Sequence, residues 1–178
     1  SRELIKEYSK NKDVLNLFSY TGSFSVYSAS AGAKSTTTVD LSNNYCSWAQ
    51  KNMELNGFKA SYKNKNSGSN HEIWNEDVFD FINIARETQS KYDIIILDPP
   101  SFARNKEKVF NVQNDHVKLI KDLQDYLLNP GGFIFFSTNL STFILSPYIR
   151  PGADKMTKKT VPTEFLPFRA HQSFVFYG

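Results

Sequence analysis

Strand-type and helix-type segments alternate five times along this chain, and that alternation constrains its fold more than any other feature. A short apolar run, Asp13 to Phe18, passes through Thr21-Gly22 into a helix-type stretch, Phe24 to Ala31, with Ser23 as a candidate cap and Gly32 as the stop. The β-branched run Ser35 to Val39 ends at Asp40. Ser42 then caps a helix carrying Tyr45, Trp48, Ala49, Met53 and Leu55 as far as Asn56-Gly57. Glu72 to Asn75 leads into Asp77 and a helix over Val78 to Glu87, with Val78, Phe81, Ile82 and Ala85 at helical spacing. Tyr92 to Asp98 reads as the central strand and Val112 to Leu128 as an amphipathic helix. Pro130-Gly131-Gly132 turns into a fifth strand, Phe133 to Ser137. The pattern predicts an α/β fold, a mostly parallel sheet with helices on both faces. Two further strands, Lys155 to Val161 and Gln172 to Tyr177, would add a C-terminal antiparallel hairpin and make seven in all. Arg2 to Ser9 is a short polar helix, residues 59–70 a polar loop, and Ala103 to Phe110 basic and irregular; Pro147, Pro151 and Gly152 break up the stretch that follows the fifth strand.

At 178 residues, with fifteen Phe and nine Tyr to bury, the chain suits one domain spanning 1–178 with a full core. A balance of 21 basic against 18 acidic residues permits nucleic-acid binding without arguing for it. The single Cys46 excludes an internal disulfide framework, and with His71, His116 and His171 scattered it offers no metal cluster. There is no signal peptide and no apolar run near the length of a membrane span, which makes the cytoplasm the expected location. The chain opens at Ser1-Arg2 without Met, as a piece of a larger protein would.

Open parallel sheets bind ligands beyond the carboxyl ends of their strands, so the residues that follow each strand carry the functional argument. After the first strand stand Phe18-Ser19-Tyr20-Thr21-Gly22-Ser23, small enough for a ligand to approach the backbone, with a helix start behind them to receive a carboxylate. No GxGxxG is present, which argues against a dinucleotide, and no P-loop, which argues against ATP. Asp40 follows the second strand, where a carboxylate can accept from both hydroxyls of a ribose. Asp77-Val78 follow the third, where an acid can accept from the amine of adenine and a backbone N–H can reach a ring nitrogen. Each of these also has a plainer role open to it, as a turn or a helix cap. Asp98-Pro99-Pro100-Ser101 follow the central strand. Two prolines fix φ, remove N–H groups and restrain the residue before them, so Asp98 and nearby carbonyls are held in a stiff turn. Such a turn suits methylation of a nitrogen on a flat ring, where acceptor and methyl donor must meet in line. Taken together, the layout matches a site for S-adenosylmethionine.

The run LNLFSYTGSFSVYSASAGAKSTTTVDLSNNYCSWAQKNMELNG, with DPPSFARNK, FNVQNDHVKLIKDL, GGFIFFSTN and the terminal AHQSF, resembles the class I S-adenosylmethionine-dependent rRNA large-subunit methyltransferases. The likeness is nearest to the guanine-N7 methyltransferase half of a bifunctional bacterial 23S rRNA enzyme whose other half makes N2-methylguanine. It implies a Rossmann-like class I methyltransferase fold, with Phe18, Ser19, Thr21 and Gly22 along the methionine part of the cofactor and Tyr20 also among the cofactor-binding residues. By the same likeness Asp40 holds the ribose, Leu41 and Ser42 lie beside the adenine, and Asp77 and Val78 read its edge. Asp98, Pro99, Pro100, Ser101 and Phe102 would face the target base. The resemblance also implies large-subunit rRNA as partner, and an N-terminal RNA-binding domain or a fused second methyltransferase domain that this chain lacks. Ser141 to Gly152 departs from the pattern, with Pro147 and Pro151 where a continuous helix is expected.

Nitrogen 7 of guanine has an in-plane lone pair and no proton to lose, so position matters more than a strong base, and Asp98 would orient the ring while Phe102 stacks on it. The exocyclic N2 amine stays open as a target, as does a cofactor- or RNA-binding module without activity. Methylation at carbon 5 of cytosine needs a thiolate near the turn after the fourth or fifth strand, whereas Cys46 lies in the helix after Asp40. Arg104, Lys106 and Lys108 form a short basic patch that would grip phosphates or remain a solvated loop. His116 is a candidate RNA or base contact, or else a partly exposed helix residue.

Overall fold

A computed structural model describes residues 1–62, 69–104, 109–160 and 171–178. At its centre is β1 (Asp13–Leu17), paired in parallel with β2 (Ser35–Asp40) on one side and β5 (Tyr92–Leu97) on the other. Outward from β2 run β4 (His71–Asn75) and the short edge strand β3 (Ala60–Tyr62); outward from β5 run β8 (Leu128–Thr138), β10 (Gln172–Tyr177) and β9 (Ala153–Lys155). The strand order β3-β4-β2-β1-β5-β8-β10-β9 reverses direction between β1 and β5, which puts the switch point of the sheet there. Within this sheet β10 alone runs against the direction of the other strands.

Alternation along the strands explains the two cores. Leu15, Leu17, Ile95 and Leu97 point to one face and meet Val78, Phe81, Ile82 and Ala85 of α4 (Val78–Glu87) and Leu119, Ile120 and Leu123 of α5 (Val112–Tyr126). Val14, Ile94 and Ile96 point the other way, toward Ile5 of α1 (Arg2–Tyr8). On that side α2 (Ser23–Ser30) packs on α3 (Asn43–Leu55) through Val26, Ala29, Cys46, Ala49 and Met53. Ile94 to Leu97 are all at or within 1% of complete burial, so a strand with no polar face is what a sheet covered on both sides requires.

The architecture agrees with the sequence reading and departs from it in detail. The main sheet has eight strands, not seven, the addition being β3, a three-residue edge too short to carry an alternation signal. The strand expected over Lys155 to Val161 stops at Lys155, and Thr157–Thr160 form a single helical turn, α6; Val161 lies outside the described residues. Ala103 to Phe110 is not irregular throughout, since β6 (Phe102–Arg104) and β7 (Val109–Asn111) pair as a separate antiparallel ribbon. The helix expected to reach Leu128 ends at Tyr126, and Leu128 already pairs with Tyr92. Between β8 and β9 the chain makes turns and a 3-10 turn at Arg150–Gly152, and Phe143, Leu145 and Ile149 anchor it to the core. Among the described residues no helix is long and apolar enough to cross a membrane.

Candidate active site at the switch point

Register brings the strand ends level. Leu17 pairs with Val39 on one side and Leu97 on the other, Leu97 pairs with Phe136, and Asp40 with Asn75. Phe18, Asp40 and Asp98 therefore leave the sheet along one edge, over the point where strand order reverses. A cleft of about 470 Å³ opens there, lined by Phe18, Tyr20, Asp40, Leu41, Asp77, Val78, Asp98, Pro99, Pro100 and Arg104 among the residues singled out from sequence.

The turn after β1 is under local strain. Phe18 and Tyr20 hold φ of 54° and 51°, a conformation that side chains with a Cβ rarely adopt, and Gly22 follows at 71°. Hydrogen bonds hold it in place: the Ser19 N–H donates to the Val39 carbonyl (3.0 Å), the Gly22 N–H to the Ser19 carbonyl (2.9 Å), and Asn52 Nδ2 to the Thr21 carbonyl (2.9 Å). Beneath it, Asn16 Nδ2 and Thr38 Oγ1 both donate to Ser25 Oγ, at 3.0 and 2.7 Å, which ties the first turn of α2 to β1 and β2. Gly22, not Ser23, is the N-cap of α2, and it makes no side-chain cap.

Asp40 is shared between two backbones. Its Oδ2 accepts from the Tyr20 N–H and its Oδ1 from the Ser42 N–H, each at 2.9 Å, so the carboxylate is oriented before any ligand arrives. Ser42 caps α3 by accepting from the Tyr45 N–H at 3.4 Å. Asp77 caps α4, with Oδ1 accepting from the Phe79 N–H at 2.9 Å. Asp98 Oδ1 accepts from Ser137 Oγ at 2.6 Å, which fixes the carboxylate of the proline turn against the end of β8.

Several lining residues were not singled out from sequence. Tyr45, Phe79, Ala103, Phe110 and Asn139 also face the cleft. Tyr20 and Tyr45 meet edge to face at 4.4 Å between ring centroids, and Phe18 stacks on Phe110 at 5.9 Å. Tyr45 reads as part of a helix face from its spacing, yet it is half-exposed and reaches the cleft while Ala49 and Met53 of the same set are buried. Ser137 stands at a strand end and was reachable by the strand-end rule.

Other expected members lie elsewhere. Ser19, Thr21, Gly22 and Ser42 shape the turn and cap without lining the cleft, and Ser101 and Phe102 belong to the ribbon approach, Phe102 being 63% exposed. His116 is corrected outright: it is 2% exposed, its Nδ1 lies 2.9 Å from the carbonyls of Val112 and Gln113, and its Nε2 accepts from the Ser146 N–H at 3.1 Å. Both ring nitrogens are used and Phe143 packs against the ring, so it is an internal brace with nothing to offer RNA. Burial holds it below the ordinary imidazole value. Lys106 and Lys108 lie outside the described residues; Arg104 is exposed beside the cleft. Cys46 is fully buried in α3, donates to the carbonyls of Asp40 and Trp74, and is pushed by burial up to about 11, which disqualifies it as a nucleophile.

One buried atom in the turn is conspicuous. Ser19 Oγ, on a residue 6% exposed, has no hydrogen-bond partner. Buried hydroxyls are rarely left so, and a polar ligand tail lying over the turn would satisfy it.

A strained small-residue turn, an oriented carboxylate after β2, a capped acid after β4 and a proline-locked acid after β5, all on the carboxyl edge of a mostly parallel sheet, define a Rossmann-like methyltransferase. The chain belongs to the S-adenosylmethionine-dependent methyltransferase family, whose model matches residues 1–154, and its cofactor is S-adenosylmethionine. It is 39% identical over 176 residues to ribosomal RNA large subunit methyltransferase K of Neisseria meningitidis serogroup B, covering 97% of this chain and 47% of that protein. It is 48% identical over 145 residues to ribosomal RNA large subunit methyltransferase K/L of Shewanella loihica, covering 80% of this chain and 19% of that one. The chain thus spans about half, or less, of the length of these curated relatives. A methyltransferase crystal structure complexed with SAH superposes with a TM-score of 0.78 at 33% identity, over 98% of this chain and 47% of the other. An S-adenosylmethionine-dependent methyltransferase from Streptococcus mutans does so at 0.75 and 31%, over 97% and 46%.

Proposed function

We propose that this chain transfers a methyl group from S-adenosylmethionine to nitrogen 7 of a guanine in large-subunit ribosomal RNA. The observation that carries the reading is the placement of Asp98, fixed by Ser137 and two prolines, at the mouth of the switch-point cleft. The names of the two rRNA methyltransferase relatives support the choice of RNA.

The cofactor supplies a methyl already activated on a sulfonium. In this proposal Asp40 accepts from the ribose hydroxyls with the lone pairs its two backbone donors leave unused. Asp77 and the Val78 N–H take the adenine edge, with Leu41 and Ser42 beside it. The turn Phe18 to Gly22 takes the methionine part, with Ser19 Oγ gaining the partner it lacks. Asp98 accepts from the N–H edge of guanine and turns the ring, while Pro99 and Pro100 fix its depth and Ser101 and Phe102 approach from the ribbon. Nitrogen 7 attacks through its lone pair and loses no proton, so alignment is the main contribution of the chain; orientation of this kind supplies roughly 7–11 kcal/mol. In an RNA helix that nitrogen lies in the deep groove, so the target must be unpaired or flipped out. Arg104, with Lys106 and Lys108, would meet the phosphates. The chain would work as one methyltransferase domain served by an RNA-binding domain or a second methyltransferase domain fused to it.

The test is methyl transfer from labelled S-adenosylmethionine to unmodified large-subunit rRNA, with the product nucleoside identified by mass spectrometry. Label in 7-methylguanosine supports the proposal. Label in N2-methylguanosine keeps the guanine and refutes the atom, and no labelled guanosine refutes the reading.

A further inference from the structure

An antiparallel strand reverses the strand-end rule. In β10 the residue at the carboxyl edge of the sheet is the one that precedes the strand, and that residue is His171. Gln172 pairs with Thr138, so His171 stands beside Asn139, its Nδ1 3.4 Å from Asn139 Oδ1. With Nδ1 as the donor to that amide oxygen, Nε2 presents a lone pair. That Nε2 is buried and has no partner, the only such side-chain atom among the described residues besides Ser19 Oγ. Burial keeps the ring below the ordinary imidazole value against the opposing pull of Asp98, which fits the neutral form.

His171 also lines a second hollow, of about 390 Å³, that shares Asp98 with the cofactor cleft. The charged Arg2 and Glu3 line it together with Phe24, Tyr27, Ser137 and Thr160, and Asp98 lines both spaces. Asp98 and His171 therefore border one hollow beside the proposed site of methyl transfer, where the Nε2 lone pair, shielded from water, is left for a donor that displaces its cover. Among the four RNA bases only guanine offers two adjacent donors, N1–H and the N2 amine, on one edge. Adenine and cytosine place an acceptor next to their amine, and uracil has a single N–H between two carbonyls.

We propose that His171 is a substrate-positioning residue, its Nε2 pairing with Asp98 to hold the N–H edge of the target guanine in the second hollow. The opposite edge, which bears nitrogen 7, is thereby turned back toward the cofactor cleft. This rests on the guanine reading above and adds to it the residue that selects the base. In the sequence His171 stood out only within the terminal AHQSF run, because the strand-end rule looks after a strand and His171 precedes one.

The experiment compares wild type, His171→Phe and His171→Gln for transfer to large-subunit rRNA and for S-adenosylhomocysteine binding by calorimetry. Phe keeps a flat ring and removes the acceptor; Gln restores an acceptor in its amide oxygen. We expect His171→Phe to lose roughly 10- to 100-fold in kcat/KM, mostly in kcat since phosphate contacts still hold the RNA, with Gln recovering most of the loss. The cofactor Kd should stay within about twofold of wild type in both variants. An equal loss in cofactor affinity would assign His171 to the cofactor site and overturn the proposal, as would unchanged kcat in the Phe variant or no recovery with Gln. If wild type labels no guanine, the rRNA reading fails and this assignment falls with it; if wild type labels guanine and the Phe variant matches it, only the assignment fails.

Discussion

Replacing Gly22 by Ala tests whether the turn that carries the proposed cofactor site is set by the packing of α2 on α3. Gly22 holds φ of 71°, and a Cβ built on it would lie 2.8 Å from Ala49 Cβ, 3.3 Å from Ala49 Cα and 3.6 Å from Thr38 Cγ2. Ala49 is 1% exposed, in the middle of α3, and cannot swing aside. Two costs add. The left-handed conformation of an L-residue costs roughly 1–2 kcal/mol, and forcing an extra methyl into a filled core roughly 1–3 kcal/mol. The sum, about 2–5 kcal/mol, corresponds to a fall in Tm of roughly 4–20 °C for a domain of this size. The two terms separate in a double-mutant cycle with Ala49→Gly, which removes the 2.8 Å contact and leaves φ untouched. Ala49→Gly alone should cost about 1 kcal/mol for glycine inside a helix, more for the lost methyl contact. The double variant should be more stable than the sum of the singles predicts by roughly 1–3 kcal/mol. Urea unfolding followed by circular dichroism measures all four corners. Additivity within about 0.5 kcal/mol would refute the steric part of the reasoning, and no loss in Gly22→Ala would refute both parts.

Asp40→Ala removes an acceptor that two backbone N–H groups already orient. Losing two charge-assisted bonds to a ribose should cost about 3 kcal/mol or more, at least a hundredfold in S-adenosylhomocysteine Kd by calorimetry; an unchanged Kd would sink the assignment. Cys46, held near 11, should react with iodoacetamide at pH 8 roughly a hundredfold or more slower in the native protein than in urea, read by mass spectrometry; comparable rates would contradict its burial. His71, His116 and His171 all sit below their unfolded value of 6.5 because burial penalises the charged ring. Below that value the unfolded chain binds more protons than the native one, so the stability present above pH 6.5 is lost as pH falls through the native values. Tm should decline from about pH 7 to pH 5.5, less steeply in His116→Asn, and a Tm that rises over that range would contradict the assignment.

Much of the candidate site was legible because a parallel sheet converts sequence order into position. Each strand in β1, β2, β4 and β5 runs the same way, so Asp40, Asp77 and Asp98 had to emerge on one edge once the strands were recognised. The rule failed where direction changed, at His171, and where a helix face was judged by spacing alone, at Tyr45, which turned out 40% exposed. His116 misled for a related reason. Polarity and position near a helix start suggested an exposed contact, whereas the chain between β8 and β9 folds back to bring the Ser146 N–H onto its Nε2.

Local patterning determined the strands, the helices and the edge on which ligands must bind, since hydrophobic period and turn chemistry act over a few residues. The sequence alone also limited the chemistry, through a lone Cys and the absence of phosphate-binding glycine motifs. Tertiary structure decided what depends on partners distant in the chain. Three-residue strands such as β3 and β9 exist because a neighbour offers hydrogen bonds. Asp98 is fixed because Ser137, 39 residues on, donates to it. His171 reaches the edge because β10 runs against the sheet. Such contacts are set by packing and register, which no local stretch of sequence contains.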